Sequence, residues 1–264
     1  MMTATPDNAP ERYSFSKLSS WWVCPHGYYL RYIEHQAGIG NAFASYGTFV
    51  HELMELYSKG EIALKDLPAI YDWRFDASIP EKFPYNKYVN LRQSYYQQGL
   101  EFLKAFQGYD NYEIIGTEEE FDLPIDDWIF TGIVDLIFRD QDGRLIIRDY
   151  KSKGEFKNAK EQAQYARQLY LYALYVKEKY GQYPDELQFL MFRKRWDPIC
   201  IAFNQDDCDE AKQWAKDTVN IIRNAFDYPP QCDEFYSQNL CNHRKYCTLK
   251  MKPKYQYRGD SRGK

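Results

Sequence analysis

The chain has 264 residues, enough for one domain with a large core, and its 44% hydrophobic and 18% aromatic content excludes a disordered protein. A formal net charge of −4 excludes binding of nucleic acid through bulk positive charge, although it is compatible with a local basic groove. We find no signal peptide and no apolar run of about 18 residues. We therefore expect a cytoplasmic protein with reduced thiols and no membrane partner.

The apolar residues switch between helical and strand periods along the chain. They predict helices over 14–35, 45–59, 160–180 and 206–225, strands over 112–123, 128–138, 144–151 and 187–192, and a largely helical insertion over 61–110 with a proline-rich loop at 80–84. This order predicts an α/β fold, with a mixed sheet flanked by helices. We divide the chain into a disordered N-terminus (1–12), a helical N-terminal region (13–110), a sheet core (111–227), a cysteine-rich segment (228–250) and a basic mobile tail (251–264).

Residues 132–151 are the most informative stretch, because two apolar runs joined by Asp142-Gly143 predict a β-hairpin. Asp135 falls in the first strand, while Asp149 and Lys151 are two apart in the second and share one face. Two carboxylates on adjacent strands can hold divalent cations, and a lysine beside them suits hydrolysis of a phosphodiester. A solvated surface hairpin with a salt bridge would carry the same residues.

Other segments extend this pattern in a fixed order. They are Ser14–Leu18 with Trp22–Tyr32, which contains Cys-Pro and Tyr-Tyr; Gly47–Glu52, which runs from glycine to histidine; Gly116–Phe121; and Gln168–Tyr172, with the pattern Gln-x-x-x-Tyr. Together with the hairpin, they resemble the PD-(D/E)xK nuclease superfamily, in particular its RecB-like exonuclease branch, which includes CRISPR-associated members. The resemblance spans roughly residues 13 to 250 and implies a restriction-endonuclease-like core.

The resemblance also implies roles for individual residues. Mg²⁺ or Mn²⁺ would be held by His51, Asp135 and Asp149 with Glu118 as a further acid; Lys151 would assist the attacking water, and Gln168 and Tyr172 would position the lysine and the DNA backbone. Judged from the residues alone, His51 could be a satisfied core histidine on an apolar helical face. Glu118, the first of three consecutive glutamates, could belong to a solvated edge strand.

Four of the six cysteines form a second pattern. Cys24 lies in the early Cys-Pro motif, and Cys232, Cys241 and Cys247 follow one another late in the chain. The family resemblance implies that these four bind a [4Fe–4S] cluster. The family spacing Cys-x2-Cys-x5-Cys places Gln238 where the first late cysteine belongs, so Cys232 would substitute only if residues 233–237 loop out.

Two other interpretations of the cysteines remain open: a zinc site that includes His243, and ordinary reduced thiols. Cys200 and Cys208 are not expected to be ligands.

We expect a metal-dependent DNA exonuclease acting on single-stranded or end-bearing DNA, because the acid, acid and lysine set is intact. The alternatives are a DNA-binding subunit with an idle site in a recombination, packaging, adaptation or CRISPR-type complex, and a zinc-stapled structural protein. Candidates for a basic, aromatic DNA groove are Arg31, Lys151, Lys153, Lys157, Lys160, Arg167, Arg193, Lys194 and Arg195, with Tyr165, Phe192 and Trp196.

Overall fold

The computed structural model describes residues 9–194 and 197–247. The groove candidates Arg195 and Trp196, the expected basic tail and residues 1–8 of the expected disordered N-terminus lie outside the described residues. The helices are α1 (Phe15–Val23), α2 (Pro25–Tyr32), α3 (Ala42–Ser58), α4 (Leu67–Ser78), α5 (Leu91–Ala105), α6 (Ala159–Tyr180) and α7 (Gln205–Arg223). The strands are β1 (Arg12–Ser14), β2 (Glu113–Ile125), β3 (Trp128–Arg139), β4 (Leu145–Lys151), β5 (Glu186–Met191) and β6 (Ile199–Ala202).

The six strands form one mixed sheet, which confirms the predicted fold class. The order is β1-β3-β4-β5-β6, and β2 pairs with β3. Strands β1 and β3, and β4 and β5, run parallel, whereas the other pairs are antiparallel. Pairs between β1 and β3 stop at Thr131, and pairs between β4 and β3 begin at Leu136. Residues 132–135 of β3 therefore lie in a gap between β1 and β4.

Each face of the sheet carries its own core. On one face, α3, α4 and α5 pack against side chains such as Leu136, Phe138 and Tyr150. On the other face, α1, α6 and α7 pack against side chains such as Val134 and Ile137. The molecule thus has a helix–sheet–helix arrangement in which the ends of the central strands lie between two helical layers.

The structure differs from the predicted elements at the N-terminus and at the sheet edges. The predicted helix over 14–35 is two helices, because Cys24 is extended (φ −165°, ψ 104°) and its sulfur accepts the Gly27 N–H at 3.4 Å as the cap of α2. Pro25 then begins α2, a position that needs no amide proton. Strands β1 and β6 were not predicted, because three and four residues are too few to show a period. Among the described residues, no helix is both long and apolar enough to span a bilayer.

Candidate metal and catalytic centre

His51 is placed by a close approach of α3 to the end of β4. A Cβ at Gly47, one turn before His51, would lie 3.4 Å from the Ser152 hydroxyl, so glycine keeps the two elements near each other. His51 Nε2 lies 3.0 Å from the carbonyl oxygen of Tyr150. Because a carbonyl only accepts, Nε2 carries the proton, and the lone pair of neutral His51 is on Nδ1.

Two carboxylates face that lone pair. His51 Nδ1 is 3.6 Å from Asp135 Oδ2 and 3.9 Å from Glu118 Oε1. One donor atom from each of these three residues can be chosen so that all lie within 4.8 Å of one another. A lone pair and two carboxylate oxygens repel unless a proton or a cation lies among them, so this group has the character of a site for a hard divalent cation.

The backbone is irregular where Asp135 and Glu118 meet. Thr117 pairs with Leu136 and Glu119 with Val134, so Glu118 and Asp135 lie opposite each other between these pairs. Glu118 has φ +46°, in the left-handed region that a residue with a Cβ seldom adopts. The Asp135 carboxylate accepts the Tyr150 N–H at 2.6 Å across the gap beside β4. At this point a hydrogen bond to a side chain takes the place of a backbone hydrogen bond between β3 and β4.

Burial and like charge make the group electrostatically unfavourable on its own. Burial, followed by the nearby Asp149, raises the pKa of Asp135 to about 7. Burial lowers the pKa of His51, but Glu118, Asp135 and Asp149 together outweigh it, so that this pKa is raised. Glu118 Oε1 is buried and has no hydrogen-bond donor among the described residues, whereas the only cation near Asp149 Oδ2 in that part of the chain is the Lys151 ammonium. A bound cation would relieve both the repulsion and the missing partner.

Asp149 takes part in a second line of contacts, towards α6. Its Oδ2 lies 2.7 Å from Lys151 Nζ, and Lys151 donates to Gln168 Oε1 at 2.9 Å. Gln168 in turn donates to the Tyr172 hydroxyl at 2.8 Å. The side chains of Gln168 and Tyr172 project from one side of α6 because they are one turn apart. We call this series of contacts, from Asp149 through Lys151 and Gln168 to Tyr172, the lysine relay. It holds the ammonium group beside the acidic cluster.

One residue in this arrangement was missed by the sequence reasoning. A Cβ at Gly132 would lie 2.8 Å from the rings of both Phe121 and Tyr172, so only glycine lets α6 come this close to β3. The sequence does contain a sign of this contact, since a glycine inside a predicted strand often marks a place where another element approaches the backbone closely.

The neighbouring acid Glu119 lies on the opposite face of β2 and is fully partnered. Its carboxylate accepts from Tyr175 at 2.5 Å and from Tyr180 at 2.9 Å, and it pairs with Lys179 at 2.8 Å. Burial raises the pKa of Glu119, but these three partners outweigh it and lower the pKa. Two adjacent glutamates therefore occupy different environments, and Glu118 alone of the two faces the histidine.

A cavity open to solvent reaches two of the candidate ligands, His51 and Glu118. It has a volume of about 680 Å³ and is lined by Phe43, Ala44, Gly47, Thr48, His51, Glu52, Glu55, Glu118 and Ser152. The exposed fraction of the side chains decreases inwards, from 30% for His51 to 10% for Asp135 and 3% for Asp149. A substrate that enters the cavity would therefore contact His51 before it reaches Asp135 and Asp149.

A model of the PD-(D/E)XK nuclease superfamily matches residues 12–251. The chain belongs to this superfamily. It is 27% identical over 162 residues to one subunit of the ATP-dependent helicase/deoxyribonuclease from three strains of Streptococcus agalactiae. This match covers 57% of the present chain and only 15% of that relative. A solved structure of a presumed exonuclease from Eubacterium rectale has the same fold, with a TM-score of 0.50, 12% identity and 96% coverage of both chains.

The cysteine segment of this superfamily member returns to the N-terminal helices. The thiols of Cys24 and Cys232 contact each other, and this contact lowers the pKa of Cys24 and, together with burial, raises the pKa of Cys232. Cys232 interacts electrostatically with Cys241 and Cys247, and Cys241 interacts with Cys24 and Cys247. Cys208 lies elsewhere, buried in α7, where its thiol donates to the carbonyl of Tyr170.

His243 and Cys200 occupy different surroundings. His243 is buried, its Nδ1 has no partner among the described residues, and burial lowers its pKa. Cys200 is exposed on β6, at the far edge of the sheet.

Several residues predicted for the DNA groove are partly exposed and make contacts with neighbouring side chains. Arg193 lies 3.6 Å from the centre of the Tyr95 ring, and Arg167 stacks on Trp214. Lys153 pairs with Glu161 at 2.8 Å. Lys151 points into the lysine relay. These contacts assign the residues to packing or to the catalytic centre, so they do not by themselves outline a path for DNA.

Proposed function

We propose that this member of the superfamily is a divalent-metal-dependent deoxyribonuclease that degrades single-stranded or end-bearing DNA from an end. The observation that carries the proposal is the grouping of His51, Glu118 and Asp135 beside the Asp149–Lys151 pair. The name of one related protein, a subunit of a helicase/deoxyribonuclease, supports DNA as the substrate, and that of the other, a presumed exonuclease, supports attack from an end.

The donor set fits Mg²⁺ or Mn²⁺. His51 Nδ1 and the carboxylates of Glu118 and Asp135 offer nitrogen and oxygen ligands, and the buried Oε1 of Glu118 has no hydrogen bond among the described residues. Asp149, which pairs with Lys151, would supply a further carboxylate. When bound, the ion would polarise the phosphate and lower the pKa of the attacking water. The Tyr150 carbonyl would keep the His51 lone pair directed at the ion by accepting the proton of Nε2.

Lys151 has the position of a group that acts on the reacting phosphate. Asp149 and Gln168 hold its ammonium group from two sides, and Tyr172 fixes the orientation of the Gln168 amide. An ammonium held in this way orients a water molecule and offsets the negative charge that develops on the phosphate. A protein with an idle site would have no need of this relay, so we favour the enzyme over that alternative.

The proposal is tested with a 5′-labelled single-stranded oligonucleotide in Mn²⁺ and in EDTA, together with the same sequence closed into a circle. We expect progressive shortening of the linear strand in Mn²⁺, none in EDTA, and intact circles. Cleavage in EDTA would contradict metal dependence. Circles cut as fast as linear strands would show an endonuclease.

We propose further that Cys24, Cys232, Cys241 and Cys247 hold a [4Fe–4S] cluster. Support comes from the closeness of the four thiols, since Cys232 interacts electrostatically with Cys24, Cys241 and Cys247. Brown, iron-containing protein after anaerobic purification is the expected result. Zinc in place of iron would favour a zinc site, for which the Nδ1 of His243, unpartnered among the described residues, supplies a nitrogen ligand.

A further inference from the structure

The loop between α4 and α5 exposes two aromatic rings. Within residues 79–90, Tyr85 is 92% exposed and Tyr88 is 84% exposed. Most of the large aromatic side chains of α3, α4 and α5 are instead packed in the core beneath this loop. We call residues 79–90 the tyrosine loop.

The tyrosine loop is held at both ends and in its middle. Arg92 donates to the carbonyl of Ile79 at 3.0 Å and pairs with Asp76 at 2.6 Å, so that it joins the two ends of the loop. Phe83 packs against Phe43 with ring centres 5.3 Å apart, and against Tyr95 at 5.0 Å. The exposed rings therefore project from an anchored segment, which reduces the entropy lost when they bind a ligand.

Phe43 connects this loop to the metal centre. It contacts Phe83 of the tyrosine loop, and it also lines the cavity that contains His51 and Glu118. With Lys82 and Arg244, it lines a further cavity of about 370 Å³ between the loop and the cysteine segment. A ligand that crossed the loop would reach the candidate ligands by passing over Phe43.

We propose that the tyrosine loop binds single-stranded DNA and leads its free end to the metal centre. Bases stack on Tyr85 and Tyr88, while the exposed Lys82 contacts a phosphate. This inference rests on the proposed nuclease function and adds the surface that binds the single strand. Exposed rings interleaved with basic side chains are the combination that binds unpaired bases without regard to sequence. In a duplex, the faces of internal bases are already stacked, so duplex DNA gains little from the two tyrosines.

The test begins with binding in EDTA, where no cleavage occurs. Fluorescence anisotropy measures the Kd of a labelled single strand and of a blunt duplex of the same length. For the double variant Tyr85→Ala, Tyr88→Ala, we expect the single-strand Kd to rise about tenfold or more, and the duplex Kd to change little. The variant Tyr85→Phe, Tyr88→Phe keeps both ring faces and should bind as the wild type does. Trp73→Ala removes an 81% exposed ring from α4 and serves as the control.

Three results would overturn the inference: an unchanged single-strand Kd in the alanine variant, an equal loss for duplex, or an equal loss in Trp73→Ala. Cleavage in Mn²⁺ separates this failure from failure of the proposed function. If the wild type cuts DNA and the alanine variant has an unchanged KM, the loop proposal fails alone. If the wild type does not cut at all, the proposed function fails as well. A raised KM at unchanged kcat supports the loop proposal.

Discussion

The residues of the metal centre belong to helices and strands, whereas three of the four candidate cluster cysteines lie in the cysteine segment, outside the helices and strands. His51 belongs to α3, Glu118 to β2 and Asp135 to β3. Cys232, Cys241 and Cys247 lie beyond α7, outside its helical residues. In our account, the metal centre is formed by the fold before an ion binds, and the cysteine segment depends on its ion for structure. Substitutions in the metal centre should therefore reduce catalytic activity, and substitutions in the cysteine segment should reduce stability.

The two regions are joined at the start of α3. Asn41 caps this helix by accepting the Ala44 N–H at 2.9 Å, and its amide donates to Asn242 at 2.9 Å and to the Leu240 carbonyl at 3.3 Å. The neighbouring Ile39 N–H also donates to the Asn242 carbonyl at 2.7 Å. The cysteine segment thereby contacts the end of the helix that carries His51.

The largest effect should come from removing a ligand. Asp135→Asn should reduce Mn²⁺-dependent cleavage by on the order of a thousandfold or more, because an amide supplies less charge to the cation. The melting temperature in EDTA should not fall, since the change also relieves repulsion. Asp142→Asn, in the exposed turn of the hairpin, is the control for the charge change. If Asp135→Asn retained activity, the claim that the metal centre carries out catalysis would be wrong.

Lys151→Ala should lower kcat by about 100- to 1000-fold and leave the Kd for DNA nearly unchanged, because the ammonium acts mainly on charge that develops in the transition state. The control is Lys153→Ala, two residues further on, whose lysine pairs with Glu161. A weaker Kd at unchanged kcat would make Lys151 a simple phosphate contact.

Substitutions of the candidate cluster cysteines should affect the stability of the protein more than its catalytic activity. Replacing Cys24, Cys232, Cys241 or Cys247 with serine should abolish bound metal and lower both solubility and melting temperature, because the site links distant parts of the chain. Cys200→Ser changes an exposed thiol and should have neither effect. Metal analysis and thermal unfolding measure the result, and metal-free protein that unfolds normally would remove the distinction between the two regions.

Asn41→Ala tests the connection between the regions. We expect a loss of about 2 kcal/mol in the free energy of unfolding, from the helix cap and the hydrogen bonds to the cysteine segment. Asn90→Ala removes only the cap of α5, which accepts the Gln93 N–H at 3.1 Å, and should lose about 1 kcal/mol. Asn41→Ala alone should also weaken Mn²⁺ binding. Equal effects of the two changes would show that the regions are independent.

A further prediction concerns the pH dependence of stability. The pKa of Asp135 is raised to about 7 in the folded protein from 3.8, so the folded state retains a proton between these values that the unfolded state has lost. This contribution to stability is complete below about pH 4 and disappears as the pH rises through about 7. In EDTA, the free energy of unfolding of the wild type should therefore fall relative to that of Asp135→Asn over this window. A constant difference would contradict the buried, repulsive centre.

The sequence allowed the sheet, most helices and the acid–lysine hairpin to be predicted, because period and local chemistry determine them. It did not predict the order of burial of His51, Asp135 and Asp149, since this order depends on how the helices pack against the sheet. The gap beside Asp135 could not be predicted either. It arises because β1, a strand of three residues from the other end of the core, pairs with part of the β3 edge. Likewise, alternation placed Glu118 on its face, but its left-handed backbone comes from tertiary constraint.

The central claim is that His51, Glu118 and Asp135 bind a divalent cation. Calorimetric titration of Mn²⁺ into the wild type, Glu118→Gln and Glu119→Gln tests it most directly, because the two variants lose the same charge at adjacent positions on opposite faces of β2. We predict that Glu118→Gln weakens Mn²⁺ binding about tenfold or more, and that Glu119→Gln binds Mn²⁺ as the wild type does. Wild-type protein that binds no Mn²⁺, or equal binding by the two variants, would contradict the account.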